Sequence, residues 1–137
     1  SEMCIRDRVE LMTLSESRED YLENLLILET RSGGFVRQVD MASRMGFSKA
    51  SISKAMSSLS AEGYVEFRPR GLVRLSNGGR KIAERVYDRH CFFFKVLTNL
   101  GIPTEIAQRD ACRMEHAMSE ESYQTLKKEL SSKMDVQ

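Results

Sequence analysis

Gly46-Phe47-Ser48-Lys49-Ala50-Ser51-Ile52-Ser53-Lys54 is the stretch whose reading decides the fold. A glycine followed two residues later by a serine suits one helix ending and another starting across a tight turn, because Gly tolerates the left-handed C′ position and Ser accepts from free N–H groups. Upstream, Val39, Met41, Ala42 and Met45 space a short helix that stops at Gly46. Downstream, Ile52, Met56 and Leu59 form the apolar stripe of a helix from Ser48 to about Glu62, halted by Gly63. Its other faces carry Lys49, Ser51, Ser53, Lys54, Ser57 and Ser58. Two helices joined by a Gly turn, the second exposing small polar and cationic side chains, match a helix-turn-helix whose second helix can enter a major groove. A solvated helix in an ordinary bundle would read the same way, so the flanks have to decide.

They favour DNA. Tyr64 to Arg68 alternates as a strand, Pro69-Arg70-Gly71 turns, and Leu72 to Leu75 returns, which predicts a hairpin directly after the second helix. Arg68, Arg70 and Arg74 around its tip suit a wing that touches phosphates or the minor groove. Before the short helix, Phe35-Val36-Arg37 reads as a short extended segment. A first helix is expected from Ser15 or Ser17 to about Arg31, with Tyr21, Leu25 and Leu28 on its stripe, Leu22 and Leu26 beside them, and Gly33-Gly34 ending it.

Beyond the hairpin the pattern turns wholly helical. Ser76 is placed to cap a long helix from about Gly78 to Leu100, ended by Gly101; Ile82, Val86, Tyr87, Phe93, Val96, Leu97 and Leu100 give it more apolar surface than a small monomer needs, so part of it is expected to pack on another subunit. Pro103-Thr104 opens a helix running to about Met118, and Ser119 caps a last helix to about Lys133, with Tyr123, Leu126 and Leu130 on one side. The fold class is mainly α: a winged helix-turn-helix over residues 13–76, then an all-helical module over 77–137. Residues 1–12 are set aside as an artefact or disordered leader, since Met3 to Arg8 reads as translated adapter or tag sequence, and Cys4 is therefore not counted as a ligand.

The 137 residues are 41% hydrophobic and 30% charged, with three cysteines at irregular spacing, which points away from a disulfide framework and towards a reducing cytoplasm. No apolar run reaches membrane-spanning length, and no secretory signal is seen. From Arg31 to His90 there are 12 Lys and Arg against 5 Asp and Glu, a balance of +7, while the flanks carry 9 against 15, a balance of −6. A basic middle between acidic ends suggests a polyanionic partner for the middle.

The chemistry-bearing cluster is Cys112-Arg113-Met114-Glu115-His116. At i, i+3 and i+4, Cys112, Glu115 and His116 share one helix face, and thiolate, carboxylate and imidazole make a half-shell for a divalent transition metal. Three such residues can also meet by accident. Asp20 and Glu23, at i and i+3, read by themselves as carboxylates favoured near a helix start, and His90 alone reads as a packed or exposed histidine. There is no Gly-rich phosphate loop and no nucleophile triad.

Ser17 to Glu23, Gly46 to Lys54, Arg70 to Ser76, Asp88-Arg89-His90 and Asp110-Ala111-Cys112-Arg113-Met114-Glu115-His116 together carry a resemblance to the diphtheria-toxin-repressor family of metal-dependent transcriptional regulators, closest to its short manganese-transport type. The likeness covers about Leu14 to Leu130. It implies a DNA-binding repressor of metal homeostasis that acts as a cytoplasmic homodimer. It implies Asp20, Glu23, His90, Cys112, Glu115 and His116 as ligands of Fe²⁺ or Mn²⁺, and Arg37, Ser48, Lys49, Ser51, Ser53, Lys54, Arg68 and Arg70 as DNA contacts. The ligand set is mixed. The manganese type has Glu where Cys112 stands; the iron type has Cys there but lacks the acidic pair at Asp20 and Glu23. Phe94 and Gln108 replace ligands of the iron type's second site, and no stretch matches the SH3-like domain of longer members.

The resulting expectation is a metal that bridges the winged domain and the helical module and so sets the spacing of two recognition helices in a dimer. The operator is double-stranded DNA, with no membrane and no organic ligand. A metal-independent winged-helix regulator is the alternative. An enzyme is not expected, since six protein ligands leave little open coordination and no separate general base.

Overall fold

The structure is a computed structural model that describes the backbone of residues 5–134 and side chains from residue 16 onward. The chain runs α1 (Ile5–Ser32), α2 (Gln38–Met45), α3 (Lys49–Ala61), β1 (Val65–Arg68), a 3₁₀ turn (Pro69–Gly71), β2 (Leu72–Leu75), α4 (Asn77–Asn99), α5 (Thr104–Met114) and α6 (Glu120–Met134). It divides into two compact units, one up to Glu84 and one from Arg85. The leader assigned from sequence lies partly outside the described residues, at 1–4. Its remainder is helical: α1 begins at Ile5, so Ser15 and Ser17 are interior positions rather than N-caps. No Gly or Pro interrupts 5–32, and serine costs a helix interior too little to end it.

The first unit is the winged helix-turn-helix. Gly46 adopts φ 71° and closes α2, and the Ser48 hydroxyl accepts from the Ser51 N–H at 3.1 Å to start α3. Gly63 (φ 88°) ends the α3 turn. The hairpin pairs Val65 with Leu75, Glu66 with Arg74, Phe67 with Val73 and Arg68 with Leu72. Val36 adds a bridge to Val73, donating to its carbonyl at 2.8 Å and accepting from its N–H at 2.9 Å, which realises the extended segment read at 35–37. Leu22, Leu25, Val36, Met41, Ile52, Met56, Leu59, Val73 and Leu75 pack as one core.

On α1 the expected stripe is rotated. Leu22 and Leu25 are the fully buried residues, while Tyr21 and Leu28 stand at the core's margin. The rotation brings Glu29 inside, at 6% exposure, where one carboxylate oxygen accepts from the Leu75 N–H at 2.8 Å and the other from Arg80 at 2.6 Å. A carboxylate is tolerated there because each of its oxygens meets a donor, one of them a guanidinium.

The second unit is built on the latter part of α4 with α5 and α6. Phe92, Phe93, Val96, Ala111 and Tyr123 form its core, and Leu126, Leu130 and Met134 pack against it. Ser119 caps α6, accepting from the Ser122 N–H at 3.2 Å. Of the apolar residues expected on the long helix, Tyr87 (43%) on α4 and Leu100 (65%), which falls just past its end at Asn99, stay exposed. The helix expected to run to Met118 stops at Met114, with Glu115 as its C-cap, so Glu115 and His116 stand in the turn that follows.

Among the glycines, the one in the first turn of α4, Gly79, has the tightest surroundings. Ser76 donates to the Tyr64 carbonyl at 3.0 Å, and a Cβ at Gly79 would run into that same oxygen, whereas Gly78 meets nothing nearer than 3.9 Å. Gly79→Ala is therefore expected to cost about 1–3 kcal/mol, since the backbone has to move. Gly78→Ala should be neutral or raise stability by up to about 1 kcal/mol through helix propensity. Thermal unfolding of the two variants side by side checks the difference.

Candidate metal centre and nucleic-acid interface

In the first unit, α3 presents Lys49, Ser51, Ser53 and Lys54 to solvent while Ile52 and Met56 anchor it. Ser48 has its hydroxyl committed to the cap, also donating to Ser51 Oγ at 3.0 Å. Arg37, at the α2 N-cap position, pairs with Asp40 through two bonds of 3.0 and 3.1 Å. In the wing, Phe35 receives two guanidinium groups, Arg68 at 5.1 Å and Arg74 at 4.9 Å from the ring centre. Arg74 also binds its cross-strand neighbour Glu66 at 2.8 Å, so it braces the hairpin rather than standing at the tip. Arg70 is the tip residue, exposed and in the left-handed region at φ 68°. The serine hydroxyls, Lys ammoniums and Arg68 and Arg70 guanidiniums form a surface of donors suited to phosphate and base edges.

Asp20 and Glu23 lie one turn apart on α1 in this unit, Asp20 half-buried and Glu23 buried at 6%. The Asp20 carbonyl accepts from the Asn24 side chain at 2.8 Å.

In the second unit, His90 of α4 meets the end of α5. Its Nδ1 lies 2.9 Å from Glu115 Oε2 and 3.7 Å from Cys112 Sγ. One ligand atom from each of His90, Cys112 and Glu115 falls within 4.8 Å of the others. His116 Nε2 stands 3.3 Å from the second oxygen, Glu115 Oε1. Glu115 is 1% exposed, His90 half-buried, and Cys112 open to solvent. The single helix face expected for Cys112, Glu115 and His116 is not formed: Cys112 stands on α5, Glu115 and His116 lie in the turn after it, and the donor that meets Cys112 and Glu115 is His90, 22 residues before Cys112 in the chain.

These residues fit a transition metal. Ligand atoms bound at about 2.0–2.3 Å stand some 3–4 Å apart around one ion, close to the spacing seen here. The His90 imidazole is pushed up to about 11, first by the Cys112 and then by the Glu115 hydrogen bond, against the opposing effect of burial. A proton on Nδ1 therefore sits at the meeting point of the three donor groups, where a cation is already favoured.

Two buried charges escaped the sequence reading. Glu29, near the end of α1, carries no motif that would mark it as buried. Arg89 belongs to the Asp88-Arg89-His90 stretch, yet it is 6% exposed and bonded to the turn after α5. Only the period of burial along α4 could have marked it, three residues after the buried Val86.

A winged helix-turn-helix unit is thus followed by a helical unit that carries a His-Cys-Glu cluster. Residues 13–73 match the family model described as iron dependent repressor, N-terminal DNA binding domain, and residues 76–133 match iron dependent repressor, metal binding and dimerisation domain. The chain belongs to the iron-dependent repressor family. It is 40% identical over 104 residues to the transcriptional regulator MntR of Escherichia coli O157:H7, covering 76% of this chain and 66% of that protein. It is 34% identical over 104 residues to the regulator MntR of Geobacillus kaustophilus HTA426, covering 75% and 72%. Among solved structures it resembles a manganese-dependent transcriptional repressor in complex with manganese (26% identity, TM-score 0.68, covering 86% of this chain and 52% of that one) and, for the fold, the manganese regulator SloR (23%, TM-score 0.70, covering 83% and 53%). The chain spans about two thirds of the length of the first curated relatives and about half that of these structures. Among the described residues no helix is long and apolar enough to cross a membrane.

A cation held by His90 through Nδ1 would have to displace the proton there, so proton and metal would compete. Lower pH favours the proton, so affinity for Co²⁺ or Mn²⁺ should rise by about tenfold per pH unit between pH 6.5 and 8.5 from this group alone. Equilibrium titrations at three pH values check the slope; a flat profile would contradict the role of His90.

Proposed function

We propose that the protein is a metal-dependent repressor of metal-ion homeostasis genes, acting as a cytoplasmic homodimer on a double-stranded DNA operator and not as an enzyme. The observation that carries this reading is the convergence of His90, Cys112 and Glu115 in a unit linked to a winged helix-turn-helix. His90, Cys112, Glu115 and His116 hold the ion, with Asp20 and Glu23 adding oxygens from the DNA-binding unit. A bound ion of this kind supplies positive charge at the point where these donors meet. The oxygens suit Mn²⁺ or Fe²⁺, while Cys112 and the imidazoles pull towards Fe²⁺, so Fe²⁺ is preferred with Mn²⁺ second.

The chain's own part is geometric. Ligands contributed by both units limit their relative orientation, and dimer half-sites about 34 Å apart demand a defined spacing of the α3 helices. A preference of about 5.5 kcal/mol for the DNA-competent arrangement moves it from about 1% to about 99% of the population. Exposed apolar Tyr87 and Leu100 supply surface for the second copy. Lys49, Ser51, Ser53 and Lys54 read the major groove, and Arg37, Arg68 and Arg70 take phosphates or the minor groove, with Ser48 placing the first turn of α3.

Anaerobic fluorescence-anisotropy binding to the upstream DNA of its own gene tests the reading. Binding should appear with Fe²⁺ or Mn²⁺ and vanish with chelator, and Glu23→Ala and His116→Ala should each abolish the metal response. Equal binding with chelator would leave a metal-independent winged-helix regulator. In the same assay, Arg70→Ala should weaken binding to all sequences alike and lower the salt slope by about one.

A further inference from the structure

Arg89 and His90 are consecutive on α4 and grip the same residue from two sides. His90 meets the Glu115 carboxylate, while Arg89 donates to the Glu115 carbonyl at 3.3 Å. The same Arg89 nitrogen donates to the Met118 carbonyl at 2.6 Å, and the other terminal nitrogen reaches Glu120 at 3.3 Å. Its guanidinium lies 4.8 Å over the ring centre of the buried Tyr123, whose hydroxyl donates to Asp88 at 2.7 Å. Lys127 closes this group with a 2.9 Å bond to Asp88.

This arrangement has a physical consequence. The carbonyls of Glu115 and Met118 belong to the end of α5 and the turn after it, where helical partners run out. One buried guanidinium nitrogen shared by both carbonyls sets the path of residues 115–118, because the two N–H bonds of its planar NH2 group leave at a fixed angle. Glu115 and His116 ride on that path.

The geometry points to Arg89 as a positioning residue of the metal centre: by clamping the main chain of Glu115 and Met118, it sets where the Glu115 carboxylate and the His116 imidazole stand relative to His90 and Cys112. This rests on the proposed metal-binding role of those four side chains. Arg89 touches no ion itself; it acts through the backbone of the ligands. Groups that orient ligands from behind cost about 10- to 100-fold in metal affinity when removed.

Co²⁺ titration of the full chain tests this, because thiolate charge-transfer and ligand-field absorption report the shape of the site independently of DNA binding. The unsubstituted protein, Arg89→Gln, Arg89→Lys and Glu115→Gln would be compared, with far-UV circular dichroism to verify the fold. Folded Arg89→Gln should bind Co²⁺ about 10- to 100-fold more weakly with altered ligand-field bands. Arg89→Lys, which keeps the charge and can reach one carbonyl, should recover part of the affinity but not the full spectrum. Unchanged affinity and spectrum in folded Arg89→Gln would overturn the inference while leaving the metal site intact. If Arg89→Gln fails to fold, wild-type affinity and spectrum in Arg89→Lys would overturn it equally. Absence of Co²⁺ uptake by the unsubstituted protein, or full uptake by Glu115→Gln, would instead overturn the metal-site reading and the inference with it.

Discussion

A carboxylate with 1% exposure, Glu115, is the constraint on which the second unit turns. An isolated charge in such a place is expensive, so it persists only where neighbours compensate it. Here an imidazole faces each oxygen, His90 at 2.9 Å and His116 at 3.3 Å, and the residue's own carbonyl is bound by Arg89. The compensation requires α4 and α5 to meet at this point, and the aromatic packing of Phe92, Phe93 and Tyr123 supplies the apolar contact that holds α4 and α6 together there.

The first unit solves the same problem with a different partner. Glu29 is as buried as Arg89, and it is balanced by the Arg80 guanidinium and the Leu75 N–H. A guanidinium does not lose its proton in the physiological range, so that pair ties α1 to β2 and the start of α4 and has no exchangeable place for another cation. Imidazoles around Glu115 can give up a proton and keep a lone pair. The chemistry of the counter-ion separates a structural tie from a cluster whose donors could take up a cation, although both rest on one buried glutamate.

The basic surface of the first unit is also less uniform than its charge suggests. Arg74 is shared between Glu66 and the face of Phe35, Arg37 pairs with Asp40, and Arg18 binds Glu62 at 2.7 Å. Exposed pairs of this kind are worth little and exchange easily for a phosphate. Arg74, by contrast, is held on two sides, and its bracing of the hairpin leaves Arg70 at the tip to face outward.

Much of this was legible in the chain. Gly46 with Ser48, Gly63, and the alternation through Pro69-Arg70-Gly71 specify the helix-turn-helix and hairpin, because turn and cap chemistry are local and a few residues suffice. The spacing of Cys112 and Glu115 likewise placed two of the clustered donors close together. Other features depend on contacts between distant segments. The phase of α1, which buries Glu29 and shifts Tyr21 and Leu28 to the margin, is set by which side chains the hairpin accepts. The carbonyls of Glu115 and Met118, just past the end of α5 at Met114, are met by Arg89, 26 and 29 residues upstream. His90 is an ordinary histidine until α4 packs on α5 and brings it 2.9 Å from Glu115. Sequence periodicity reports which face is apolar, but only tertiary packing decides which polar groups share the interior, since burying a charge is a property of its neighbours and not of its position in the chain.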